Sequence, residues 1–273
     1  MNVPTVCILL ATSLLSLGCA TQYGLSAPAA DERQLVRETV LRAADTPDAV
    51  REFSYSSEGK LSQEKLSDAK GSVRETVFYE YKDGRMAERR VFSHSGELTG
   101  RRTYTYTSKG LPETENYFDG EGRLLMSSHF AYNYWGDRTE WTTINAAGSL
   151  MARTRYTYEK GRPVTMVLSG SNGEKNLTIT TAYNAEGRRI LETYVNAAGF
   201  PEKEVVFSYD EQGRLLCEET FSSVRSFQGK TVYEYSAGAA QPEKIYRYDS
   251  RGNPQETVIQ EFALLRSAAG PLL

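Results

Sequence analysis

The chain has 273 residues, 40% hydrophobic and 25% charged, enough for one large domain or two modest ones. Its 32 basic and 35 acidic residues leave a formal net charge of -3, which gives no electrostatic reason to expect nucleic acid or an anionic surface as the main partner. Eighteen tyrosines, 22 glycines and a mean hydropathy of -0.50 describe many turns and amphipathic aromatics rather than a thick aliphatic core, which favours β structure.

Residues 1–18, "MNVPTVCILLATSLLSLG", carry no charge and hold an apolar run too short to cross a bilayer, so they read as an export signal. Cys19 follows directly in "LSLGCA", and a cysteine after a small residue at the end of such a run resembles the lipobox of bacterial lipoproteins. The resemblance implies cleavage after Gly18 and lipidation at Cys19. Ser16 stands where that pattern usually has leucine, and no Lys or Arg opens the signal, which leaves an ordinary cleaved signal as the alternative. Lipidation predicts a protein anchored in the bacterial cell envelope on the periplasmic side or cell surface, peripheral rather than spanning. Cys7 and Cys19 belong to this leader, so Cys217 is the one remaining cysteine and no disulfide framework is expected.

Residues 19–30 read as a tether. In 31–45, "DERQLVRETVLRAAD", an acid-rich start and apolar Leu35, Val36, Val40 and Leu41 predict a short cap helix. From there to about residue 258 the chain repeats. Tyrosines fall at 55, 81, 106, 132, 158, 183, 209 and 235, spaced 25 or 26 residues apart, each followed by a glycine: Gly59, Gly84, Gly110, Gly136, Gly161, Gly187, Gly213 and Gly238. A second series, Gly71, Gly96, Gly122, Gly148, Gly173 and Gly199, marks another turn in each unit, and Gly252 ends the last. Between turns the residues alternate, as in "RRTYTYTS" and "RTRYTYEK", with aromatics on one face and mostly polar residues on the other.

Residues 50–258 therefore read as about eight 26-residue units, each two strands joined by short turns, which forces antiparallel pairing. The expected fold is all-β: an antiparallel meander of about fifteen strands in one curled or spiralling sheet, its aromatic faces lining a concave core, with the N-terminal helix as a cap. Aspartate or asparagine ahead of the turn glycines, at Asp83, Asp119, Asn184, Asp210 and Asp249, can bond the turn amides. The rhythm breaks between Gly213 and Gly229, where "SSVRSF" reads as a four-residue insertion, and residues 259–273 read as a C-terminal cap or tail.

The unit "YDEQGRLL", with "FDGEGRLL", "YNAEGRRI" and "YDSRGN", resembles the YD repeats of the Rhs family of bacterial surface and secreted proteins, over roughly residues 52–255. The resemblance implies a long spiralling antiparallel sheet. It does not bring toxin delivery with it: the chain is too short to enclose a cargo domain, and nothing after residue 255 is long enough for an enzyme.

Candidates for chemistry are few. His94 and His129 have no partner at metal-ligand spacing. No nucleophile elbow or phosphate-cradling loop is present. Glu113, Glu115, Glu218 and Glu219 read as solvent-facing residues balanced by basic neighbours rather than as a glycosidase pair. The turn aspartates lack the dense oxygen set that calcium requires. No enzyme activity, cofactor or metal is expected. The leading expectation is a non-enzymatic envelope lipoprotein whose β-repeat sheet serves as a scaffold or contacts another envelope or surface protein. The alternative is a carbohydrate- or peptidoglycan-binding module using Trp135 and Trp141 as stacking platforms. An outer-membrane barrel is disfavoured because "GRMAERRVF" places charge on both faces of its strand.

Overall fold

The computed structural model describes residues 33–264; the signal, Cys19, the tether and residues 265–273 lie outside the described residues. Eighteen strands follow in chain order. They are β1 (Arg33–Arg42), β2 (Thr46–Tyr55), β3 (Leu61–Asp68), β4 (Val73–Lys82), β5 (Arg85–Ser93), β6 (Leu98–Tyr106), β7 (Pro112–Asp119), β8 (Leu124–Tyr132) and β9 (Arg138–Asn145). The second half is β10 (Leu150–Glu159), β11 (Arg162–Ser169), β12 (Lys175–Tyr183), β13 (Arg189–Asn196), β14 (Pro201–Tyr209), β15 (Leu215–Ser222), β16 (Phe227–Glu234), β17 (Lys244–Tyr248) and β18 (Pro254–Leu264).

Each strand pairs antiparallel with the next, and β1 pairs with both β2 and β18, from Arg33 opposite Leu264 to Arg42 opposite Glu256. The sheet is a closed barrel without edges. This overturns the expectation of about fifteen strands in an open curled sheet. Closure satisfies the backbone groups that an open sheet would leave along two edges.

Two local misreadings lie behind that difference. The stretch expected as a cap helix over 31–45 is instead strand β1 from Arg33, followed by a three-residue 3-10 turn, Ala43–Asp45. Its apolar residues do not form a helical stripe: Val40 pairs with Val258, Leu41 with Thr257, and a bulge separates Leu35 from Arg37. Among the described residues there is no α-helix. At the other end, residues 259–264 of the stretch expected as a cap or tail belong to β18, the strand that completes the ring.

The turns are of one main design. A residue at or just past the strand's end donates its N–H to the carbonyl four residues on, and the glycine N–H returns to that residue's carbonyl, as in Asp210 N–H to Arg214 O at 2.9 Å and Gly213 N–H to Asp210 O at 2.9 Å. The glycine takes a positive φ of 82° there, the left-handed conformation that closes such a hairpin. The supposed insertion at "SSVRSF" is the same turn: Ser222 N–H bonds Ser226 O at 2.8 Å, Arg225 N–H bonds Ser222 O at 2.8 Å, and Arg225 itself sits at φ 57°. Gly229 is not a turn residue; it pairs with Thr220 inside β16. Asp45, at φ 55°, occupies the matching place between β1 and β2. The repeat therefore continues through both ends of the barrel.

Strand alternation sorts the side chains into two walls. One face carries Val77, Tyr117, Ile179, Val205, Phe207 and Val258, each no more than 8% exposed, and is the inner wall. The other carries Phe78 and Val206, at 38% and 37% exposed, among charged and hydroxyl residues. Eighteen strands about 4.8 Å apart, before any tilt to the barrel axis, set a perimeter of at least ~86 Å and a backbone radius of at least roughly 14 Å for a round section. Side chains do not fill a ring of that size. Ser128, at 1% exposed, is the largest side chain fully buried among the described residues, whereas a packed core would bury aromatic rings completely. The described polar and aromatic side-chain contacts join the same, adjacent or next-adjacent strands or turns. The aromatic faces form a lining along the inner wall.

Candidate functional site: the inner wall and the two rims

The repeated tyrosine is a rim clamp. Tyr209, at the end of β14, donates its hydroxyl to the Arg189 carbonyl at 2.7 Å at the start of β13. The same bond, always 20 residues back, joins Tyr55 to Leu35, Tyr106 to Met86, Tyr158 to Arg138, Tyr183 to Pro163 and Tyr235 to Leu215, at 2.7–2.9 Å. The basic residue after the preceding turn glycine lies over the ring: Arg188 is 5.8 Å from the Tyr209 centroid and Arg214 4.6 Å from that of Tyr235. A side chain on Gly110, Gly187 or Gly213 would meet the guanidinium of Arg85, Arg162 or Arg188 and push it off its ring, while the positive φ at each position is what favours glycine there. In "YDEQGRLL" the tyrosine, aspartate, glycine and arginine thus each have a structural partner. Tyr209 clamps the previous hairpin, Asp210 Oδ1 accepts the Arg214 N–H at 2.8 Å, and Arg214 covers the next tyrosine. Burial opposes ionisation of Asp210, but its bonds from Arg214 hold the carboxyl below the ordinary aspartate value. Asn184 and Asp249 accept turn amides in the same way. Asp83 does not follow this pattern; it sits inside a two-residue Asp83–Gly84 turn at φ 51°.

Below this rim the inner wall carries tyrosine, glutamate and arginine together. Tyr79 donates to Glu64 at 2.6 Å; Arg102 reaches Glu115 at 3.2 Å and lies 4.4 Å from the Tyr117 ring. Arg189 bonds Glu192 at 2.7 Å and approaches Glu218 at 3.9 Å, while Tyr194 donates to Glu192 at 2.9 Å. Burial, reinforced by Glu115, pushes the Tyr104 phenol up to about 12, and burial with neighbouring glutamates raises Tyr79, Tyr117, Tyr194 and Tyr233 further. Burial also raises Glu218 despite the nearby Arg189. Two carboxylates expected to face solvent are therefore inside: Glu115 is 5% exposed, and Glu218 lines the same wall opposite Thr231. Glu113 is exposed, and Glu219 faces outward opposite Lys230.

The outer wall is laced with ion pairs. Arg90 contacts both Glu80 and Glu88, Arg101 reaches Glu88 at 3.6 Å, and Glu140 holds Arg153 and Arg155 at 3.5 and 3.0 Å. Apolar contact is local, as where Phe78 meets Phe92 edge-on at 5.6 Å. Cys217 lies on this wall, paired in register with Ser208 and Val232, its thiol pushed up by burial.

The structure separates the two tryptophans. Trp141 is on β9 inside the barrel, 6.0 Å from the Phe130 ring. Trp135 is in the turn after β8, 83% exposed, with Tyr134 beside it at 83% exposed and 6.2 Å away. Lys109 from the neighbouring turn stands 5.1 Å from the Tyr134 ring and bonds its carbonyl at 3.3 Å. His94 lies in an exposed turn of the opposite rim, and His129 faces outward from β8 between Thr114 and Thr142. No cluster of metal-ligating side chains occurs among the described residues. Sequence reasoning missed Tyr134 and Lys109 as neighbours of Trp135; "YWG" following a strand-end tyrosine was the available signal.

No family profile matches the chain, and no curated protein does. Solved structures to which the chain is similar include a porin-like protein from Bacteroides uniformis, 14% identical, with a TM-score of 0.46 over 84% of this chain and 98% of that one. A porin-like protein from Bacteroides vulgatus is 9% identical, with a TM-score of 0.32 over 84% and 98%. The Tc holotoxin pore of Photorhabdus luminescens is 12% identical, with a TM-score of 0.30 over 81% of this chain and 15% of that chain. Nothing about the activity of this chain follows from them. The chain is a closed, repeat-built β-barrel.

Proposed function

We propose that the protein is a non-enzymatic, Rhs-like YD-repeat scaffold of the bacterial envelope, lipid-anchored through Cys19, whose rims and outer wall contact another envelope or surface protein. The observation that carries this reading is that the repeated residues act as structural partners of one another: tyrosines clamp carbonyls, arginines cover rings, and outer charges pair across strands. Such a wall is stiff and chemically uncommitted. It is also unsuited to lipid, since an arginine at the bilayer midplane costs about 2–4 kcal/mol and Arg90, Arg101, Arg153 and Arg155 all face outward. A lipid tail, rather than the strands, then supplies attachment.

Replacing Cys19 with alanine should release the protein from membranes, and unchanged fractionation refutes the anchor. Photo-cross-linking from rim and outer-wall positions in intact cells should give one reproducible protein adduct. The exposure of Trp135 and Tyr134 favours the second reading, a glycan- or peptidoglycan-binding module. Adducts containing peptidoglycan or polysaccharide alone would establish that reading instead.

A further inference from the structure

The chain enters and leaves the barrel at one rim. Tyr55, at the rim end of β2, reaches Leu35 near the start of β1, and Leu264 pairs with Arg33, so both described ends lie on the rim built by the tyrosine clamps. Thirteen residues separate Cys19 from Arg33, a span of at most ~45 Å even when fully extended. A bilayer holding Cys19 therefore lies within tether's reach of the tyrosine rim, the rim at which the chain enters the barrel. The turn with the exposed ring pair belongs to that same rim, between β8 and β9, close to halfway round from the β18–β1 seam. A lipid attachment at one side leaves the far side of the rim free to tilt, and Tyr134 and Trp135 stand on that side.

We propose that the tyrosine rim rests on the phospholipid surface, with Trp135 and Tyr134 seated at the headgroup boundary and Lys109 beside them at phosphate level. This rests on the Cys19 anchor proposed above. The chemistry fits that occupant: tryptophan and tyrosine concentrate at the bilayer interface because each joins an apolar ring to a polar handle, and a lysine ammonium favours the phosphate layer. Two contacts on opposite sides of the rim hold the barrel upright and present the other rim, with exposed Phe200 and Val224, away from the membrane.

The test uses the mature protein reconstituted in phosphatidylethanolamine–phosphatidylglycerol vesicles, with and without lipids brominated near the headgroup. Mass spectrometry reads the state of Cys19 in the same sample. The chain has two tryptophans, so the difference between wild type and Trp135→Phe reports Trp135 alone, and its 83% exposure makes that variant safe for the fold. Wild type should lose emission with brominated lipid and shift to the blue, while Trp135→Phe should show neither change. An acylated protein whose emission ignores the bromines overturns the rim contact and leaves the anchor standing. Absence of acyl chains overturns both. Emission that responds to soluble peptidoglycan fragments but not to lipid overturns the proposal in favour of a glycan.

Discussion

Arg225→Gly should stabilise the barrel. Arg225 holds a left-handed backbone at φ 57°, in the place that glycine fills in the equivalent turn at Gly199. A side chain in that conformation costs about 1–2 kcal/mol, and glycine returns about 0.5–1 kcal/mol through its looser unfolded state, so the net gain is about 0.5–1 kcal/mol. The ion pair lost with the substitution, Arg225 to Glu204 at 3.8 Å, is 84% exposed on the arginine side and adds little. For a domain of this size about 1 kcal/mol moves the melting temperature by roughly 2–4 °C, so a rise of about 1–4 °C is expected by circular dichroism. The mirror substitution Gly199→Arg, at φ 88°, should lower it by at least as much. Opposite signs at the two positions are the signature of one turn design used twice. Arg225→Gly without gain, together with a tolerated Gly199→Arg, would refute the equivalence and return "SSVRSF" to the status of an inserted loop.

Removing one clamp should be felt locally and in proportion to its bond. Tyr209→Phe deletes the 2.7 Å hydroxyl bond to Arg189 O and leaves that carbonyl short of a partner, at a cost of about 0.5–1.5 kcal/mol, visible as a melting temperature lower by a few degrees. Glu218→Gln should stabilise the protein at pH 7. Burial raises the carboxyl's value above the ordinary 4.5, so its favourable contribution is present below the unfolded value and lost as pH rises through the folded one; an uncharged amide escapes that loss. The advantage should disappear in melts at pH 4, and an advantage that persists there would assign it to packing instead.

Much of the barrel was written in the sequence in a form that simple periodicity can read. Tyrosine and glycine recur because most hairpins of one rim use the same clamp and nearly every turn needs a left-handed residue, so turns, strand alternation and antiparallel order follow from residues such as Tyr158 and Gly161. The places that were misread are those where another residue does the same work. Asp45 and Arg225 take the glycine conformation without being glycine, which hid the first hairpin and made a regular turn look like an insertion. Closure was illegible for a different reason. The β1–β18 seam joins residues more than two hundred positions apart, as in Gln260 to Glu38 at 2.8 Å, and no local motif encodes such pairing. Glu115 shares the aromatic face with Tyr117 and pairs with Tyr104, so alternation alone places it inside; a charged residue type is what points to solvent instead. Glu115 with Arg102 shows that the inside tolerates charge when each carboxylate has a partner.

Hydrogen exchange along β1 and β18 tests closure most directly. In the ring, amides from Thr39 to Leu41 and from Thr257 to Ile259 sit in paired strands, and their protection should match that of β9 and β10 on the far side. An open, curling sheet would leave β1 and β18 as free edges, with every second amide of each strand exchanging at nearly unprotected rates while the middle strands stay slow; that pattern would contradict the barrel.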